Sequence, residues 1–290
     1  MIFQLLCLLP TALVGNDAKP GHYPRPELLL EALDLQRPAN AKRFHILDAR
    51  LKAKYEAGHV PGAIWVDQGA WSRAFYAGQE PKAWSGHIGE LGIDPRTPAV
   101  VYDDGSVKDA ARIWWILRYW GFQDARLLNG GWPAWQAAHG AVSHDVPKVA
   151  ATRPRLSPLA DHLAKKGDML EWLRDHQHQV IDTRSEGEYC GIERTAKRNG
   201  AMPGAIRLEW VNLLDKEHRF KSADELAKLF QDAGIHVDRP AVAHCQSGGR
   251  AAVMAFALEL MGAKDVRNYY RSWSEWGNAD DTPVVKPNGH

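Results

Sequence analysis

The chain has 290 residues, 45% of them hydrophobic and 24% charged, a globular composition with enough material for two ordinary domains. Thirty-six Lys and Arg against 35 Asp and Glu leave a formal charge of +1 with no long basic run. Nucleic acid and acidic membrane surfaces are therefore not the expected partners, and small molecules are. Three cysteines in so long a chain do not make a disulfide framework, and His176 and His178 in DHQHQ have no further ligands nearby, so neither a metal nor an organic cofactor is expected.

In chain order, MIFQLLCLLPTALVG is apolar over the length of a signal h-region, too short to span a bilayer, and gives way to the polar, proline-rich NDAKPGHYPRP. Residues 1–20 are read as a leader for export to the periplasm or beyond, although no Lys or Arg precedes the apolar run; without a working leader the protein is cytoplasmic. No other segment has the length and apolarity of a membrane span. Residues 21–142 form a first domain, in which FHILDAR and AVVYDD are short apolar runs ending in polar turns, the pattern of buried strands. The following AAHGAVSHDVPKVAATRPRLSP lacks an apolar period and carries three prolines, and its residues 143–158 are assigned as a linker. Residues 159–290 form a second domain with strands QVIDTR and AVAHC. Its SADELAKLFQDAG, residues 222–234, is an amphipathic helix with a Ser222–Glu225 capping box and Gly234 as its stop. The fold class is α/β, with a largely parallel sheet flanked by helices in each half.

The two halves are copies of each other. Residues 103–135 lie without gaps over 244–276, so that Ala110 and Ala111 fall on Ala251 and Ala252, Gly121 on Gly262, Trp132 on Trp273 and Trp135 on Trp276. That offset is 141. Upstream, GHVPGAI at 58–64 matches GAMPGAI at 200–206, and Gly92-Ile93 matches Gly234-Ile235, both at an offset of 142. Further back, ILDAR ending at Arg50 matches VIDTR ending at Arg184. The recurring Trp273 and Trp276 are read first as packing.

Cys245 ends a buried strand and stands just ahead of a helix that begins near Gly249 or Arg250. The carboxyl ends of strands are where open α/β sheets bind ligands. The N–H groups of the Gly-Gly loop, the positive end of the helix and the charge of Arg250 all favour a thiolate.

CQSGGR, DAR with DTR, GHVPGAI with GAMPGAI, LNGGWPAW and YYRSWSEWG followed by TPVVKP together resemble the rhodanese superfamily, and residues 23–287 resemble its tandem-domain sulfurtransferases. The resemblance implies two rhodanese-like domains, of which the C-terminal one carries the catalytic cysteine and the N-terminal one is a non-catalytic partner. In the gapless alignment Asp104 occupies the position of Cys245 and Asp109 that of Arg250, and an aspartate cannot carry sulfane sulfur. Cysteine phosphatases and arsenate reductases place their arginine after five intervening residues, whereas four separate Cys245 from Arg250. The resemblance implies that this shorter loop suits a persulfide.

The expected reaction is a double displacement in which Cys245 takes sulfane sulfur from thiosulfate and passes it to cyanide or a thiol. Cys245 and Arg250 are the expected catalytic residues, and Gln246, Ser247, Gly248, Gly249, Arg184 and Arg194 the expected substrate-binding ones. Arg184 could equally form a structural pair with Asp182, since Asp48 and Arg50 repeat them in the other copy. Four residues after Arg184, mammalian-type tandem enzymes have an anion-binding arginine. This chain has Glu188, and Arg194, Lys197 or Arg198 in GIERTAKRNG are candidate replacements. Ser247 resembles the mercaptopyruvate-type loop, so 3-mercaptopyruvate is the alternative donor. A non-catalytic redox or sulfur-carrier module, with Cys190 as disulfide partner, is a further alternative. A monomer is expected.

Overall fold

Nine short strands form two parallel sheets in the computed structural model, which describes residues 21–287. The expected leader, with Cys7, lies outside the described residues. The first sheet holds β1 (Leu29–Leu30), β2 (His45–Asp48), β3 (Ile64–Trp65), β4 (Ala99–Tyr102) and β5 (Ala125–Leu128) in the order β1-β5-β4-β2-β3. The second holds β6 (Gln179–Asp182), β7 (Ile206–Arg207), β8 (Ala241–His244) and β9 (Val266–Asn268) in the order β7-β6-β8-β9. Every ladder is parallel. Parallel strands covered on both faces read as continuous apolar runs, and every residue of AVVY and AVAH is buried.

The registers show the repeat in space. Asp48 pairs with Tyr102 as Asp182 pairs with His244, and a parallel bridge from Leu163 to Asn268 stands where β1 pairs with β5. The Ala223–Ala233 helix starts on the Ser222–Glu225 capping box and stops at Gly234, whose φ of +76° is left-handed backbone that favours glycine.

Apart from Arg250 and Glu259, which are both ion-paired, the Gly249–Leu260 helix is apolar, and every residue of it but Arg250 is buried. It lies between its own sheet and the Lys108–Tyr119 helix of the first domain, with Trp114 edge-on to Phe256 and Trp115 stacked on Tyr270. A single hydrophobic core therefore runs through both domains, while two smaller cores on the outer faces each stay within one domain.

The segment 143–158 has no helix or strand, yet it is strapped to the first domain rather than hanging free. His59 and Ser143 exchange two backbone hydrogen bonds, Thr152 N donates to Gly89 O, and Ser85 Oγ donates to Pro154 O.

Candidate active site

β6 and β8 are neighbours, so their carboxyl ends bring Asp182, His244 and the Cys245–Gly248 loop together. In the loop the backbone turns its nitrogens toward the sulfur: Ser247 N and Gly248 N lie 3.4 and 3.1 Å from Cys245 Sγ. Its carbonyls point away and are all bonded. Cys245 O accepts from Trp273 N, Gln246 O from Ser274 N, Ser247 O from Arg112 Nη1 and Gly248 O from Asn268 Nδ2. Cys245 N donates to Ser272 Oγ at 3.0 Å.

Each glycine of the loop answers a separate constraint. Gly248 has a φ of +83°, and a Cβ there would stand 2.6 Å from Tyr270 Cδ2; a Cβ on Gly249 would stand 2.4 Å from Arg112 Nη2. Burial would raise the Cys245 thiol, but the charge of Arg250, the N–H groups of Ala251 and Ser247, and the charge of Arg112 outweigh it, so its pKa falls below the ordinary thiol value. Beside it, burial pushes His244 down to about 4, which leaves the ring neutral at neutral pH, with Nε2 3.5 Å from Asp182 Oδ2.

Arg250 is not a solvent-facing residue at the start of a helix. Its guanidinium forks onto Glu188, at 2.5 and 2.9 Å, and the side chains are 19% and 6% exposed. Glu188 is positioned by its own helix start, where its Oε2 also accepts from Ser185 N and Ser185 Oγ. Glu188 thus takes up part of the positive charge beside Cys245.

Arg184, expected either among the substrate-binding residues or in a structural pair with Asp182, makes the Asp182 pair and leaves its Nη1 without a protein partner. Its side chain has no exposure, forks onto Asp182, donates to Gly200 O and lies 4.1 Å over the Trp273 ring, as Arg50 does with Asp48, Gly58 O and Trp132. Charge–ring stacking at this position explains why both tryptophans recur. Arg198 is likewise committed: it donates to the carbonyls of Trp276, Ala279 and Thr282. Arg194 and Lys197 remain exposed. Gln246 Nε2 donates to Thr195 O at 3.1 Å and ties this segment to the catalytic loop next to Arg194. Cys190 is half-buried at the end of the Glu186–Tyr189 helix, and it and Cys245 are both free thiols.

The N-terminal counterpart of Cys245 is Asp103, not Asp104. β4 ends at Tyr102 and β8 at His244, an offset of 142, whereas the following helices begin at Lys108 and Gly249, an offset of 141. The N-terminal loop is one residue longer, and the gapless alignment hid this. Asp103 is buried in the equivalent cradle, accepting from the nitrogens of Gly105, Val107, Asp109 and Ala110 and from Ser106 Oγ. Asp104 points outward to Lys54 at 2.8 Å. The sequence shows that a residue is absorbed between Gly92 and Ala110, where the offset changes from 142 to 141, but not at which position.

Arg112 carried no sequence signal at all, since its counterpart in the second copy is Val253. From the first domain it reaches Ser72 Oγ, Ser247 O and Tyr270 Oη at 2.9, 2.7 and 2.8 Å. An interdomain cleft of about 600 Å³, walled by Phe75, Trp84, Tyr119, Trp120 and Tyr270, includes none of the loop residues 245–249.

Comparison with known proteins agrees with this geometry. The family model described as "Rhodanese-like domain" matches twice, over residues 31–138 and 166–279. The chain is 32% identical to a thiosulfate sulfurtransferase of Azotobacter vinelandii over 89% of this chain and 96% of that protein. It is 28% identical to the 3-mercaptopyruvate sulfurtransferase of Escherichia coli K12 over 94% and 98% of the two chains. Among solved structures, the crystal structure of SseA from Escherichia coli, titled for the rhodanese fold and mechanism of 3-mercaptopyruvate sulfotransferases, superimposes with a TM-score of 0.76 at 27% identity. It covers 85% of this chain and 98% of that one. With both copies matched, the sheets paired in parallel and the cysteine loop in the second copy, the chain belongs to the tandem-domain rhodanese family of sulfurtransferases.

Proposed function

We propose that the protein moves the outer sulfur of thiosulfate to cyanide or a thiol through a persulfide on Cys245. The observation that carries this reading is the cradle of inward-facing N–H groups around a buried sulfur whose pKa is depressed. The Cys245 thiolate attacks the sulfane sulfur, the S–S bond of thiosulfate breaks, and its electron pair leaves with sulfite. The enzyme then holds Cys–S–S⁻, whose charge the same N–H groups and nearby guanidinium groups stabilise. Cyanide attacks the terminal sulfur and leaves as thiocyanate, returning the thiolate. The names of the relatives, which divide between thiosulfate and 3-mercaptopyruvate, support sulfur donors of both kinds.

Mass spectrometry after thiosulfate treatment tests the reading. One added sulfur on the Cys245 peptide, absent from Cys245→Ser, is the expected result, and sulfur on Cys190 instead would overturn the assignment. The Glu188–Arg250 pair favours a second reading, because a partly neutralised Arg250 suits singly charged mercaptopyruvate better than doubly charged thiosulfate. Paired kinetics with the two donors separate these. Export rests on the sequence of residues 1–20, and a mature N-terminus beginning near residue 21 is the result that would support it.

A further inference from the structure

A peptide unit is planar, with C=O and N–H pointing in opposite directions, so anchoring the oxygen aims the hydrogen. The C-terminal domain anchors three of the loop carbonyls itself, through Trp273, Ser274 and Asn268. The fourth, Ser247 O, belongs to the peptide whose nitrogen, Gly248 N, is the closer of the two to the sulfur. Arg112 holds it from the N-terminal domain at 2.7 Å. We propose that Arg112 is a positioning residue for sulfur transfer: it holds the Ser247–Gly248 peptide so that its N–H faces Cys245, and the domain without a catalytic cysteine thereby supplies part of the active site.

Three oxygens surround Arg112 Nη1, which has two hydrogens. Tyr270 and Ser72 can share a proton between their own hydroxyls, 3.3 Å apart, but a carbonyl can only accept, so one Nη1 hydrogen is committed to Ser247. The seat is tight, because the bare face of Gly249 lies against the guanidinium and Arg112 is only 6% exposed. Among the described residues no carboxylate lies within ion-pair distance of Arg112, although a buried guanidinium without an anion is costly. The Cys245 thiolate, or the persulfide that follows it, is the anion this charge serves. Of the influences on that thiol, burial opposes the charge, while Arg250 and Arg112 favour it.

The inference rests on Cys245 as the nucleophile. Its test is the pH dependence of iodoacetamide alkylation, read at the Cys245 peptide of the full chain, with melting temperature and donor kinetics measured alongside. In Arg112→Met the alkylation midpoint should rise by about one pH unit, and kcat/KM for thiosulfate should fall about tenfold at neutral pH. Gly249→Ala, which displaces the guanidinium without removing its charge, should move both in the same direction. Arg112→Lys, which keeps the charge and loses the fork, should fall between wild type and Arg112→Met. An unchanged midpoint in Arg112→Met with only a lowered melting temperature would reduce Arg112 to a domain contact and overturn the proposal. If Arg112→Met does not fold, unchanged midpoints in folded Gly249→Ala and Arg112→Lys do the same. A wild-type midpoint in the ordinary thiol range would overturn the reading of Cys245 and this proposal together, an outcome distinguishable because it needs no variant.

Discussion

Cys245 and Asp103 are two answers to one backbone geometry of a strand end, a turn of inward N–H groups and a helix start: the Cys245 thiol is pushed down there, whereas burial pushes the Asp103 carboxyl up despite the N–H groups it accepts from, and only sulfur can carry sulfur. Cys245→Ser should abolish sulfur loading, while Asp103→Ala should leave loading in place and lower stability by about 1–3 kcal/mol, because several buried N–H groups lose their acceptor. Asp104→Ala breaks only an exposed pair and should cost less than about 1 kcal/mol in the same urea titration. Equal costs for the two would refute the pairing of Asp103 with Cys245. His244 adds a pH dependence. Folded, it titrates near 4 against 6.5 as its ordinary value, so the folded state binds fewer protons between these limits. Its contribution is fully present above about pH 6.5 and is lost as the pH falls toward 4. Between pH 7 and 4.5 wild type should therefore lose about 2–3 kcal/mol more than His244→Gln. His162, also pushed down to about 4, and His178, pushed down by burial, act in both proteins and cancel.

At the scale of elements, the Glu186–Tyr189 helix and the start of the Gly249–Leu260 helix are joined by the Glu188–Arg250 fork. Arg250→Ala should then impair folding as well as sulfur loading, by about 1–3 kcal/mol, because it strands a buried carboxylate. Arg250→Ala combined with Glu188→Gln should recover the stability and not the kinetics. Glu188→Gln alone frees the arginine and should raise kcat/KM for thiosulfate more than for mercaptopyruvate, since Coulomb energy scales with the product of charges. Equal gains would show that the pair does not select between donors. The segment 191–200 divides by role. Neutralising Arg194 and Lys197 should lower kcat/KM for thiosulfate by the larger factor, and added salt should mimic it by screening these exposed charges. Arg198→Ala should instead lower the melting temperature, because its guanidinium holds the 276–282 turn. A salt response indifferent to Arg194 and Lys197 would remove them from donor recognition.

At the scale of the molecule, the shared core makes the two repeats one cooperative unit. Trp114 packs edge-on to Phe256 and Trp115 stacks on Tyr270 across the boundary, and the Gly249–Leu260 helix between the two domains is buried at every residue but Arg250. Urea unfolding followed by tryptophan fluorescence and by far-ultraviolet circular dichroism should give coincident transitions. Residues 159–290 alone should expose the apolar helix and bind a hydrophobic dye. Two separated transitions, or a soluble and active isolated half, would contradict the single core.

The fold, the repeat and Cys245 were legible in the sequence because each rests on local physics: apolar strands buried on both faces, a capping box with a glycine stop, and a cysteine between a strand and a helix start. The Arg184–Asp182 pair, two residues apart, was visible for the same reason, although only the fold shows that it is fully buried. The Asp103 register required the strand ends, because a gapless alignment cannot say where an extra residue is absorbed. The Glu188–Arg250 fork joins residues 62 apart, and Arg112 meets Ser247 across 135 positions and a domain boundary. Such contacts leave no periodicity or spacing in a single chain. The fork exists because two helices of the second domain meet at their starts, and the Arg112 contact because packing of the Lys108–Tyr119 helix on the Gly249–Leu260 helix brings one domain's guanidinium against the other's bare glycine, juxtapositions decided by the tertiary structure alone.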